Sequence, residues 1–227
     1  GIVPSCYEVS PQLFCFLMQQ IKLHKLITAD ARVRRASAFV FVDEIIDDQP
    51  LKVVLEINGV VRKAQKLGHR GVWLNTFPSA GPTIRREDDR FWDAAQALGC
   101  PVHFHVRIWR AVQRPRAKGV GGDTLAGLAG NGAAAFLTDL PEIISSGVHD
   151  RFPRLTWVAA ETGAGWIPYI LEQLDDRWWR NRHWLPVRLQ HEPSFYFRRN
   201  WLATFMVDRT AVANRAQLGL GNLMWST

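Results

Sequence analysis

Apolar positions along the chain recur in two alternating periods. Over residues 10 to 27 the spacing is helical, with Leu13, Phe14, Leu17, Met18 and Ile21 on one face and Ser10-Pro11 as a cap and first-turn pair. A short β-branched and aromatic run, Ala38-Phe-Val-Phe-Val42, follows and ends at Asp43. A helix-compatible stretch from Pro50 to Leu67 leads through Gly68-His-Arg to a second strand, Gly71-Val-Trp-Leu-Asn75. A helix from Asp88 to Leu98 stops at Gly99, and a third strand, Val102 to Val106, begins after Cys100-Pro101.

Residues 107 to 132 are glycine-rich, lack periodicity and read as a long loop, a class that is commonly functional or mobile. A helix from Ala133 to Ser146 then precedes the strand Leu155-Thr-Trp-Val-Ala-Ala160, which ends at Glu161. Gly163-Ala-Gly165 opens a helix from about Trp166 to Trp179. After an irregular segment come a strand near Trp201 to Met206, a helix near Asp208 to Leu218 and a last strand, Leu223 to Ser226. Buried-looking strands separated by helices predict an α/β fold with parallel strands and helical crossovers. Six strands suit a doubly wound sheet; a closed (β/α)8 barrel would need two more.

Composition narrows this little. The 227 residues, 47% hydrophobic, suffice for one large domain. No apolar run reaches the roughly 18 residues a membrane span needs, and residues 11 to 23 carry Gln19, Gln20 and Lys22 with no cleavage site after them. Neither a membrane partner nor a signal peptide is expected. Three cysteines, Cys6, Cys15 and Cys100, show no metal-type spacing and point to a reducing, cytoplasmic compartment. The net charge of +7 comes from scattered arginines interleaved with acids, as in Arg85-Arg-Glu-Asp-Asp-Arg90; no nucleic-acid partner is expected.

In a parallel architecture ligands meet the carboxyl ends of the strands. Those ends are Asp43, Asn75, His105 and Glu161, four polar groups closing four apolar runs. An imidazole and carboxylates converging there suit zinc or manganese. His103 lies on the same strand face as His105 but one layer deeper, and reads as a hydrogen-bonded core or supporting histidine. His69, His149, His183 and His191 fall in turns or polar segments and read as surface, and His24 lies on the first helix. Trp166, Trp178 and Trp179 fit core or subunit packing, with Trp166 also a candidate substrate wall beside Asn75; a homodimer is compatible with this. Asp175-Asp176 before Arg177 reads as a solvated helix face. Neither G-x-G-x-x-G nor G-x-x-x-x-G-K-[ST] occurs.

Six segments in order resemble the amidohydrolase-related family: Arg70-Gly-Val-Trp-Leu74, Asp89-Arg-Phe-Trp-Asp-Ala-Ala95, Leu98-Gly-Cys-Pro-Val-His-Phe-His105, Ser146-Gly-Val-His-Asp-Arg-Phe-Pro-Arg-Leu155, Glu161-Thr-Gly-Ala-Gly-Trp-Ile-Pro-Tyr-Ile-Leu171 and Gly221-Asn-Leu-Met-Trp-Ser-Thr227. The match covers roughly residues 50 to 227, and residues 1 to 36 match poorly. The resemblance implies a metal-dependent (β/α)8 TIM barrel as one domain over 1–227, with strands three to eight recognisable. It implies a hydrolase or non-oxidative decarboxylase of a small carboxylated or cyclic substrate, resembling aminocarboxymuconate semialdehyde decarboxylase. His105 takes the place of the metal-binding histidine of strand five. Glu161 stands where many members carry a strand-six histidine, as metal ligand or as acid/base. The family's first-strand H-x-H or E-x-H pair and its strand-eight aspartate have no counterpart within these residues. The 227 residues alone are therefore expected to bind zinc or manganese weakly and to have little activity. The alternative is a non-catalytic, barrel-derived interaction protein using the Trp/Arg-rich helix.

Overall fold

The computed structural model describes residues 39–42, 71–74, 76–79, 81–105, 108 and 133–226; the side chains of 39–42 and 133–135 are not among them. The expected helices over 10–27 and 50–67, the strand-end residues Asp43 and Asn75, His24, His69, Cys6, Cys15 and most of the 107–132 loop lie outside the described residues.

Six described strands form one sheet: β1 Phe39–Val42, β2 Gly71–Leu74, β3 Val102–His105, β4 Trp157–Ala160, β5 Trp201–Phe205 and β6 Leu223–Trp225. Their order is sequential and every neighbouring pair is parallel. A doubly wound sheet would reverse its strand order at a switch point, and this one does not. With right-handed crossovers, sequential parallel strands put every connecting helix on the same face, which is the wall of a (β/α)8 barrel.

The described helices are α1 Asp89–Ala97, α2 Ala133–Ser145, α3 Val148–Arg151, α4 Ile167–Asn181, α5 Pro193–Asn200, α6 Arg209–Ala213 and α7 Arg215–Leu218. Helix α1 ends where Gly99 takes a φ of 59°, a left-handed conformation that glycine adopts without strain. The helix expected from Asp208 to Leu218 is two short ones. Asn214 divides them, its side chain donating to the Thr210 carbonyl, because asparagine favours helix ends over helix interiors. The segment read as irregular before β5 contains α5. Its start was signalled by Pro193 in the first turn, a position that needs no backbone N–H.

Strand alternation sorts the sheet into two faces. Val72, Leu74, Val102, Phe104, Trp157, Ala159, Trp201 and Ala203 join one buried cluster with Phe91 and Trp92 of α1, Phe136 and Leu140 of α2, and Tyr196 and Phe197 of α5. On the opposite face, register places Trp73, His103, Val158 and Leu202 in one row, and His105 beside Ala160 in the next.

The helix face overturns one expectation. His149, read as surface, is fully buried. The four-residue helix α3 turns its ring inward against Trp157, Tyr196 and Trp201, and Trp201 Nε1 donates to His149 Nε2 at 2.7 Å. Burial, aided by the Arg199 and Arg151 charges, lowers its pKa to about 3, so the ring is neutral. Asp175 is not simply solvated either: it accepts the Ser194 backbone N–H at 2.8 Å and so serves the first turn of α5, while Asp176 pairs with Arg180. His183 and His191 are exposed.

Candidate metal and acid/base site

β3 and β4 are adjacent and in register, so their carboxyl ends open at the same level. His105 ends β3 and Glu161 follows the last residue of β4, and His105 Nε2 stands 2.9 Å from Glu161 Oε2. The two side chains are mostly buried, 13% and 23% exposed. Trp73 lies against the His105 ring, with centroids 4.5 Å apart, and restricts its orientation from β2.

His103, one row deeper, is buried, and desolvation lowers its pKa to about 4. It is a neutral imidazole beneath the site. The face alternation of β3 thus places two histidines on one side at different depths, and only the outer one faces Glu161.

The conformation of Glu161 is unusual. Its φ is 56°, and it is the single non-glycine residue with positive φ among the described residues. A side chain in the left-handed region costs about 1–2 kcal/mol, and such outliers concentrate at working sites. The backbone is held there: the Glu161 N–H donates to Thr204 Oγ1 at 2.7 Å, and Thr204, on β5, is fully buried. The turn continues through Gly163, with φ 68°, to the start of α4. Asp208, in the loop after β5, accepts the backbone N–H groups of Ala164 and Gly165 at 2.8 and 2.7 Å.

Trp166 flanks this turn, but its indole N–H donates to the Thr162 carbonyl at 3.0 Å and the ring packs against the helix-side core. Asn75 lies outside the described residues. Thr204 and Asp208 were not singled out from the sequence. Reading strand ends would not have found them, because Thr204 lies inside β5 and Asp208 stands three residues beyond it.

The donor chemistry of the pair fits a divalent cation. An imidazole nitrogen and a carboxylate oxygen are borderline and hard donors, the combination zinc and manganese accept. The two donor atoms stand 2.9 Å apart, close enough for both to contact one cation. Among the described residues no group of three or more His, Cys, Asp or Glu side chains could hold a metal ion.

Comparison with known proteins agrees with this architecture. No curated protein sequence matches the chain. Among solved structures it is similar to the 5-carboxyvanillate decarboxylase LigW from Sphingomonas paucimobilis (22% identity, TM-score 0.64, covering 89% of this chain and 61% of that one). It is also similar to LigW2 from Novosphingobium aromaticivorans, solved with manganese and 3-methoxy-4-hydroxy-5-nitrobenzoic acid (16%, TM-score 0.68, 91% and 61%). A third is the 2,6-dihydroxybenzoate decarboxylase from Rhizobium (20%, TM-score 0.62, 89% and 67%). The chain spans about 61% of the length of the first two. At these identities the likeness is one of fold. The amidohydrolase sequence model, however, matches residues 17–226, nearly the whole length, and the chain belongs to the amidohydrolase family.

Proposed function

We propose that this chain carries part of the active site of a metal-dependent hydrolase or non-oxidative decarboxylase acting on a small carboxylated, cyclic substrate. The observation that carries the proposal is the contact of His105 Nε2 with Glu161 Oε2 at the carboxyl ends of adjacent strands. The manganese and the phenolic carboxylates of the structural neighbours support the metal and substrate class.

In this reading His105 and Glu161 would contribute to holding manganese or zinc. The cation, when bound, supplies Lewis-acid polarisation of a substrate carboxylate or phenolate oxygen. Glu161 moves the proton. In a decarboxylation a proton reaches the ring carbon as the bond to the departing CO2 breaks, and Glu161 serves that step in the form released from the cation, since a ligating carboxylate carries no proton. In a hydrolysis its carboxylate takes a proton from the attacking water. Trp73 keeps the His105 ring in place, and the neutral His103 fills the layer below without adding charge. Among the described residues no helix is long and apolar enough to cross a membrane. A cytoplasmic setting belongs to the same reading, from the cysteine usage of the sequence.

The test is CO2 release from 2,6-dihydroxybenzoate and 5-carboxyvanillate with manganese supplied. Low turnover that falls a further 100-fold or so in His105→Ala and Glu161→Gln is the expected result. Turnover unaffected by either substitution overturns the assignment of the site.

A second reading, a non-catalytic interaction protein, has one observation behind it. Trp179 and Trp184, near the end of α4, are 64% and 70% exposed beside Arg177 and Arg182. Manganese-independent behaviour of the His105 and Glu161 variants would favour it.

A further inference from the structure

The contacts that hold the Glu161 turn come from the next strand and the loop after it. Thr204 Oγ1 accepts the Glu161 N–H, which fixes the backbone of a residue standing in the left-handed region. Asp208 divides its carboxylate between two loops. Oδ2 accepts from Ala164 and Gly165 of the turn after β4, and Oδ1 accepts from Ala211 in the first turn of α6. The bond to Ala211 is ordinary helix capping. The two bonds across to the Glu161 turn do not follow from capping, and they require an exceptionally close approach. A Cβ at Gly165 would stand 2.5 Å from Asp208 Oδ1 and 2.7 Å from Thr210 Cβ. Burial alone would raise the pKa of Asp208, but the N–H groups of Ala164, Ala211, Gly165 and Thr210 outweigh it and hold the group below the usual carboxylate range.

We propose that Thr204 and Asp208 are positioning residues for Glu161: Thr204 sets its backbone and Asp208 sets the turn behind it, so that its carboxylate stays opposite His105. The inference rests on the reading of His105 and Glu161 as part of a metal site. Neither positioning residue touches the His105 ring or the Glu161 carboxylate in the bonds above, so each acts through the turn. Outer groups that orient a ligand change metal affinity by roughly 10- to 100-fold when removed.

The experiment compares Mn2+ dissociation constants, by chelator competition, with amide exchange of Glu161, Ala164 and Gly165 and with the thermal midpoint. Thr204→Val keeps the side-chain shape and deletes the acceptor; Thr204→Ser keeps the oxygen. The Val variant is expected to bind Mn2+ roughly 10-fold more weakly and to exchange the Glu161 amide faster, with the Ser variant restoring both. Asp208→Asn is expected to loosen the Ala164 and Gly165 amides and to weaken Mn2+ in step. Wild-type affinity in Thr204→Val and Asp208→Asn, while His105→Ala and Glu161→Gln lose Mn2+, overturns the positioning role and leaves the site intact. Wild-type affinity in all four, or none in the unaltered chain, overturns the site and the positioning role together. Should Asp208→Asn not fold, the Val and Ser pair at position 204 decides.

Discussion

The two faces of the sheet hold histidines in opposite circumstances. On the helix side His149 is sealed among Trp157, Tyr196 and Trp201, accepts one hydrogen bond and stays neutral. On the other side His105 is partly open and meets a carboxylate. The same residue type thus serves packing on one face and, in the proposed function, chemistry on the other. The difference is set by what surrounds each ring: indoles and a desolvated layer in one case, a strand end with a constrained turn in the other. Substitutions on the helix side should cost stability, whereas those at the mouth should cost binding and turnover.

The sharpest break of that contrast is Trp157→Ala. It empties the centre of the helix-side cluster, where Trp157 stacks on Phe104 and Trp201 and packs at a tilt against Trp92, and should cost about 3–5 kcal/mol in urea denaturation. His105→Ala should cost clearly less stability than Trp157→Ala in the same denaturation while abolishing turnover, since it removes a smaller ring at the end of β3. Equal stability losses in the two variants would erase the distinction between the faces.

Acid provides the next test. His149 stays neutral in the folded chain down to about pH 3, while an unfolded histidine takes up a proton below about 6.5. Between those values the unfolded state binds more protons, so this contribution to stability is complete above pH 6.5 and shrinks as pH falls. Unfolding free energies at pH 7 and 4.5 should differ by about 2 kcal/mol more in the wild type than in His149→Gln. Parallel pH curves for the two proteins would remove His149 as the acid-sensitive group.

Gly165→Ala sharpens the boundary between the faces. Its Cβ would collide with Asp208 and Thr210, and about 1–3 kcal/mol of stability should be lost together with the order of the Glu161 turn. The smallest effect is expected for Arg180→Ala, which removes an exposed i,i+4 pair with Asp176 and should change stability by about 0.5 kcal/mol or less.

Much of the fold was legible along the chain because it is written in local periods. The runs at Gly71–Leu74, Val102–His105 and Trp157–Ala160 are strands, and the segments expected to be helical at 88–98 and 133–146 are α1 and α2 to within a residue or so. Strand alternation by itself places His103 and His105 on one face. The short helix α5 escaped because Pro193 was not used as a start signal, and Asn214 split what periodicity alone read as continuous.

The sequence by itself determined the strand–helix rhythm, the glycine that ends α1 and the family motifs, since each depends on residues within a few positions of one another. Only the tertiary structure decided that His105 meets Glu161, 56 residues away, and that His149 is interior. It also decided that a carboxylate in the loop after β5 secures the turn after β4. Those outcomes depend on strand order and register, which choose among neighbours that are equally distant in sequence. Local propensity has no term for that choice.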